Sequence, residues 1–220
     1  FLIISTGFKI FPFDLDIFSS PDKIQPCPKT LLGKEYTLVQ GSFREENDYD
    51  DAWLLYLSYK SKIVFDIGCN TGQSSILISN SKFLKKLFLV EPNPLSLAIA
   101  SENLIINNLS DNVTFIAKAA YNKSKEKIKL WTMPGAYAGA SLDINFTETG
   151  KISNNYFDIE TITLDDIAKK YNCIPDLVKI DVEGAEFSVL EGAINIAKNK
   201  NTKFLVEVHS SPSLSIEENT

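Results

Sequence analysis

The run VFDIGCNTGQSS, residues 64–75, constrains this chain more than any other stretch. An apolar, partly β-branched segment passes without a linker into Asp66, Gly68, Asn70 and Gly72, and a helical pattern follows at once. A strand that ends in glycines and turns straight into a helix is the opening of a βαβ unit. Gly68 and Gly72 allow a sharp turn and close approach of the backbone to a ligand, and the first N–H groups of the helix offer donors to a polar group. The spacing is D-x-G-x-N-x-G rather than G-x-G-x-x-G, so a nicotinamide-linked oxidoreductase loses support. Glycines also punctuate turns that bind nothing, and the motif alone leaves that reading open.

From residue 62 onward, short β-branched runs alternate with longer amphipathic stretches. The rhythm predicts strands over 62–67, 87–91, 113–117, 177–181 and 203–208, and helices over 71–79, 94–107, 164–171 and 185–199. Thr163 with Asp165 and Asp166 signals the start of the third helix. The expected fold is α/β, a Rossmann-like, mostly parallel sheet with helices on both faces. Residues 1–55 lack the rhythm, carry prolines at 12, 21, 26 and 28 and an acidic run at 45–51, and read as an N-terminal extension ending in a helix near 50–59. Residues 56–220 form the main domain. The opening FLIISTGFKIFPF is interrupted by Lys9 and Pro12 and falls short of the ~20 apolar residues of a membrane span; it reads as a strand or packing arm. Residues 121–160 are mixed, with a strand at 127–131 and a small-residue stretch, MPGAYAGAS, that reads as a substrate-covering insertion or a plain surface loop.

Charge and cysteines narrow the partners. A net charge of -6 gives no broad cationic field to neutralise phosphates, which argues against nucleic acid. Cys27, Cys69 and Cys173 are odd in number and unpaired in spacing, which argues against a disulfide framework or a structural zinc and for a reducing, cytoplasmic location. In LFLVEPNP, Glu91 stands at the carboxyl end of the second strand, where a carboxylate can accept both hydroxyls of a ribose.

With LFLVEPNP in place, the series GSFREE, VFDIGCNTGQSS, LFLVEPNP, ENLIINN, TLDDI, LVKIDVEGAEFSVLEGA and LVEVH resembles, in order and spacing, the FkbM family of methyltransferases over about residues 41–209, most specifically at 177–193. The resemblance implies a class I methyltransferase sheet, S-adenosylmethionine as cofactor, and O-methylation of a hydroxyl on a sugar, polyketide or similar small molecule or glycan. Carried across residue by residue, it puts Asp66, Gly68, Asn70, Gly72 and Gln73 around the methionine part and the sulfonium, with Cys69 a packing residue in the same turn. Glu91 and Asn93, flanking Pro92, would hold the ribose. Ala119 falls where many related enzymes have an acidic residue for the adenine amino group, so a backbone contact would replace it. Class I sheets add two strands beyond the one ending at His209, and little chain remains for them; missing C-terminal strands are therefore expected, unless the N-terminal segment fills the edge.

Methyl transfer needs an in-line approach of acceptor and donor and a base for the hydroxyl proton. The candidates are Lys179, Asp181, Glu207 and His209, which lie at the ends of the fourth and fifth strands, where open α/β sheets present ligands. Period-two alternation predicts that Lys179 meets Glu207 in a lower layer while Asp181 meets His209 at the rim and orients it as the base. The plain alternative is a snorkelling Lys179 and a solvated His209. Two metal ligands, Asp181 and His209, are too few for a site, so no metal is expected. Glu186 reads as a helix-dipole residue outside the catalytic set, and Glu183 as either a cap or a cleft residue. A non-catalytic domain of the same fold is the rival reading. Oligomeric state is not legible.

Overall fold

The structure is a computed structural model that describes residues 26–44, 49–132, 140–142 and 156–209. The expected N-terminal arm, residues 133–139 of the small-residue stretch and the polar run after His209 lie outside them.

The first described elements are a hairpin, β1 (Pro26–Leu31) and β2 (Lys34–Val39), followed by α1 (Tyr49–Ser58). Leu32 and Gly33 close the hairpin with φ of 45° and 81°, the two positive values a primed two-residue turn demands. Then β3 (Ile63–Ile67), α2 (Gln73–Ser79), β4 (Lys86–Val90), α3 (Pro94–Ile106) and β5 (Val113–Ile116) alternate as predicted. After a second small sheet come α4 (Leu164–Lys170), β9 (Leu177–Ile180), α5 (Glu186–Glu191), α6 (Ile194–Ala197) and β10 (Lys203–Val206). The central sheet is parallel throughout, in the order β10-β9-β3-β4-β5. Chain direction across the sheet reverses between β3 and β9, so the crevice for a ligand opens above their carboxyl ends.

Alternation along β3 divides the core. Val64 packs on one face with Leu31, Leu38, Ile76 and Leu104, and Phe65 on the other with Phe88, Ile167, Val178 and Val189. Both faces are covered, as buried parallel strands require. Residues 26–44, placed by sequence in an extension, thus share a core with the sheet. The hairpin forms its own sheet rather than extending the β10 edge. Asn103 of α3 and Asn107 at its C-cap hold it: their Oδ1 atoms accept the Val39 and Thr37 N–H groups at 2.7 and 3.0 Å.

The small sheet, β6 (Ala119–Ala120), β8 (Tyr156–Ile162) and β7 (Lys127–Trp131), runs β6-β8-β7. The strand at 127–131 is where the sequence put it; β8 is additional. Thr163 caps α4 by accepting the Asp166 N–H, as expected. The single helix predicted over 185–199 is in fact two. A Cβ at Gly192 would lie 2.2 Å from the Tyr121 carbonyl oxygen, so the chain breaks at a glycine pressed against the neighbouring loop. Asp165 of α4 then caps α6, accepting the Asn195 and Ile196 N–H groups at 2.9 and 3.0 Å. Among the described residues no helix is long and apolar enough to cross a membrane, and Cys27, Cys69 and Cys173 are all free thiols.

Candidate functional site

Two clefts meet above β3 and β9, and Gly68, Asn70, Asp181 and Glu183 line both. The first, about 610 Å³ including the solvent in its mouth, lies over β4 and holds Glu91, Pro92 and Ala119. The second, about 1550 Å³ on the same measure, lies toward β10 and holds Arg44, Gln73, Lys179 and Glu207.

The glycine turn is built as the sequence implies, for a partly different reason. Gly68, Asn70 and Gly72 have φ of 72°, 48° and 89°. A Cβ on Gly68 would lie 1.8 Å from the Asp181 carbonyl oxygen, and one on Gly72 2.9 Å from the Ala100 Cβ. The close approach at both glycines is therefore to the protein's own chain. Asp66 lies beneath the cleft rather than in its wall: it is fully buried, and its Oδ2 accepts the Ser74 and Ser75 hydroxyls at 2.8 and 2.6 Å. Cys69 packs inside the turn, where burial and the nearby Asp66 and Glu91 charges push its thiol pKa up.

Glu91 is buried at the end of β4. Its Oε2 accepts the Asn70 N–H at 3.0 Å and its Oε1 the Asn93 N–H at 2.8 Å. A carboxylate has about four lone-pair sites, so each oxygen keeps capacity for one ribose hydroxyl. Burial raises its pKa to about 7 against those two backbone donors. The Asn93 side chain, given a ribose role by resemblance, is engaged in capping α3, where it accepts the Leu95 N–H at 3.0 Å, and it does not line either cleft. Ala119 lies in the wall of this cleft, in a short strand of its own, with no acidic side chain in its place.

Asn70 provides the test of fit for a cofactor. Its Oδ1 is buried without a hydrogen-bond partner, at the seam of the two clefts, and an amino group of a bound methionine moiety would satisfy it. The donor set thus fits an adenosine on one side of the seam and an amino acid on the other. Segment 41–44 covers that end: the Thr71 hydroxyl donates to the Ser42 carbonyl, the Arg44 N–H donates to Gln73 Oε1 at 3.0 Å, and the Arg44 guanidinium pairs with Asp51 at 2.8 Å.

The rim cluster differs from the expected pairing. The register sets Leu205, not Glu207, beside Lys179. Lys179 instead turns toward the glycine loop, reaching Asp181 Oδ2 at 3.0 Å, the Gly68 carbonyl at 3.2 Å and Asp66 Oδ1 at 3.8 Å. Burial opposes its charge, but Asp181 and Asp66 more than offset it and the pKa is raised. Glu207, whose N–H donates to the Ile180 carbonyl at 2.9 Å, lies level with Asp181; burial and that neighbour raise its pKa. His209 does meet the carboxylates of this rim, but Asp181 is not its main partner. Its Nδ1 lies 2.9 Å from Glu186 Oε1, whereas Nε2 lies 3.9 Å from Asp181, 3.7 Å from Glu183 and 3.7 Å from Glu207. The Glu186 hydrogen bond, against partial burial and with the Glu183, Glu186 and Asp181 charges, raises its pKa to about 9. Sequence reasoning set Glu186 aside as a helix-dipole residue; only the tertiary fold brings it under His209.

Asp181, Glu207 and His209 offer ligand atoms within 4.8 Å of one another, one ligand more than the two visible in sequence. Their side chains are 28%, 40% and 20% exposed, and acidic side chains this solvated gather without a cation as well as with one.

Comparison with known proteins agrees with the geometry. The methyltransferase FkbM domain matches residues 66–218. The hexuronic acid methyltransferase AglP of Haloferax volcanii is 26% identical over 159 residues, 71% of this chain and 60% of that protein. The chain thus spans less than two thirds of this relative. A SAM-dependent methyltransferase from Agrobacterium tumefaciens aligns over 86% of this chain and 54% of its own at 14% identity and a TM-score of 0.50, a likeness of fold. Methyltransferase FkbM from Methylobacillus flagellatus aligns over 66% of this chain and 32% of its own, at 20% identity and a TM-score of 0.45.

Proposed function

This chain belongs to the FkbM methyltransferase family, and from that premise we propose that it transfers a methyl group from S-adenosylmethionine to a hydroxyl of a sugar, polyketide or related metabolite. One observation carries the reading: a buried Glu91 carboxylate and the unpartnered Asn70 Oδ1 face a single crevice at the switch point of the sheet. S-adenosylmethionine supplies an electrophilic methyl on a sulfonium. Glu91 holds the ribose, Asn70 and Gln73 the amino acid part, and the Lys179–Asp181–His209 rim lies beside the acceptor.

A sugar acceptor gains support from the relative named for hexuronic acid. The chemistry of the cleft favours a hydroxyl over a carboxylate. Asp50, Asp51, Asp181, Glu183 and Glu207 line its β10 side, while Arg44 is held by Asp51 and Lys179 by Asp181. A substrate carboxylate brought there meets like charge. His209 accepts the hydroxyl proton only as a neutral imidazole, and with a pKa of about 9 it is mainly charged at neutral pH. Turnover should therefore rise with pH toward 9, and a cation held in the cleft would lower that midpoint by repulsion.

Calorimetric titration of the chain with S-adenosylmethionine and with NAD, then transfer of labelled methyl to neutral sugars and to uronic acids, tests the proposal. Binding of S-adenosylmethionine alone, with methyl appearing on hydroxyl oxygen, is expected. NAD binding, no ligand at all, or label on a carboxylate would overturn it.

A further inference from the structure

We infer that Glu186 is the positioning residue of the site, fixing the orientation and the tautomer of His209 so that Nε2 faces the acceptor. The inference rests on the methyltransferase reading only for what Nε2 is aimed at.

His209 lies three residues past Val206, the end of β10, and two past the Glu207 N–H that donates to the Ile180 carbonyl, so strand pairing alone does not orient the ring. Its Nε2 neighbours at 3.7–3.9 Å stand beyond hydrogen-bond length. The 2.9 Å contact of Nδ1 with Glu186 is the short one. An anionic carboxylate accepts only, so Nδ1 carries the proton and, in the neutral ring, Nε2 carries the lone pair.

Glu186 is itself held. Its Oε1 also accepts the Gly184 N–H at 3.0 Å and the Val182 N–H at 3.4 Å, across a turn in which Glu183 and Gly184 have φ of 55° and 100°. The carboxylate is therefore locked to the loop leaving β9, the same loop whose Asp181 carbonyl packs on Gly68.

The helix dipole is a weaker account of Glu186. A charge in a first helical turn gains only a modest stabilisation from the dipole, whereas burying an ion is costly unless it is paired. Glu186 is only 6% exposed. Burial pushes its pKa up, yet the His209 and Gly184 hydrogen bonds reverse that and leave it below the ordinary value.

The groups that face the ring are Asp181 from the end of β9, Glu183 from the loop, Glu186 from α5 and Glu207 after β10, with Lys179 behind Asp181 and Asp50 of α1 acting on Glu207. Of these groups Glu186 is the one at hydrogen-bond distance, 2.9 Å from Nδ1. Removing it should therefore change tautomer as well as titration, which loss of a distant charge would not.

His209 is the only histidine in the chain, so its imidazole nitrogens can be followed by NMR without ambiguity. In the wild type the neutral ring should carry its proton on Nδ1. In Glu186→Gln the titration midpoint should fall by more than one pH unit and the tautomers should mix; Glu186→Asp should recover part of both effects. In the loaded enzyme, kcat for Glu186→Gln should drop about 100-fold while KM for S-adenosylmethionine moves less than about threefold, because the pair touches neither Glu91 nor Asn70. An Nε2–H tautomer in the wild type would overturn the inference even if Glu186→Gln failed to fold. An unchanged tautomer and midpoint in folded Glu186→Gln would overturn it too. The NMR arm needs no acceptor: shifted nitrogens without methyl transfer would defeat the function and leave the positioning role, and turnover with unshifted nitrogens would do the reverse.

Discussion

At Glu91 the side-chain oxygens serve the protein and the ligand together, since each accepts a backbone N–H from Asn70 or Asn93 and keeps a lone pair toward the first cleft. Glutamine is therefore not a neutral replacement: its NH₂ would face one of those two N–H donors. Glu91→Gln should weaken S-adenosylmethionine binding by about 1–3 kcal/mol, measured by calorimetry on the folded variant; unchanged affinity would remove the ribose role. Affinity for the wild type should also rise with pH. Burial holds the Glu91 pKa at about 7, and only the ionised form offers all its lone pairs. Gly68 carries the complementary lesson. Its type was legible from the strand-turn-helix spacing, but the wall it meets, the Asp181 carbonyl, belongs to the loop after β9, more than a hundred residues along the chain, and leaves no local trace.

Parallel strands announced themselves through apolar runs, because burial on both faces leaves β3, β4 and β9 a single polar side chain each, Asp66, Lys86 and Lys179. The hairpin and β8 were hidden. The hairpin's turn is Leu-Gly rather than Asn-Gly, and β8, the middle strand of the small sheet, alternates between exposed and half-buried positions over most of its length. Asp181 and His209 were placed correctly at the rim, but the Lys179–Glu207 pairing failed because register, not alternation, decides which residues face across neighbouring strands. Asn103 was missed as well: within ENLIINN it reads as one polar position of an amphipathic helix. In the fold its Oδ1 accepts the Val39 N–H, and its Nδ2 donates to Ser42 Oγ at 3.1 Å and to the Thr71 carbonyl at 2.8 Å. One amide thus ties hairpin, covering segment and cofactor turn to α3. Asn103→Leu leaves those groups buried and unsatisfied, so it should lose about 2–4 kcal/mol in urea unfolding and weaken cofactor binding, since Thr71 sits between Asn70 and Gly72. Loss of stability with undiminished affinity would show that α3 does not set the turn.

Across the whole molecule, the groups whose shifts matter most lean the same way. Glu91 has its pKa raised to about 7 and His209 to about 9, and Glu183 and Glu207 are raised by burial and by carboxylate neighbours. A group with a raised folded pKa binds its proton more tightly in the native state. Its contribution is full below the unfolded value and is lost as pH climbs through the folded one. For Glu91 the window runs from the ordinary 4.5 to about 7, and for His209 from 6.5 to about 9. Glu186 runs the other way, because its lowered pKa gives stability above the ordinary carboxylate value that disappears in acid. The ligand-free chain should therefore be most stable near the ordinary carboxylate value of 4.5 and weaken steadily toward pH 9. Buried Glu91 contributes on the order of 3 kcal/mol to that slope, and the part-exposed His209 about 1 kcal/mol once solvent screening is discounted. Urea unfolding at pH 5.5, 7 and 9 measures it. Equal stability at the three values would mean that these shifts do not survive in solution. Removing the Glu91 side chain should flatten the slope between pH 5.5 and 7 and leave the fall from 7 to 9, while His209→Asn should do the opposite, so the two halves of the cleft can be told apart by where each variant departs from the wild-type curve.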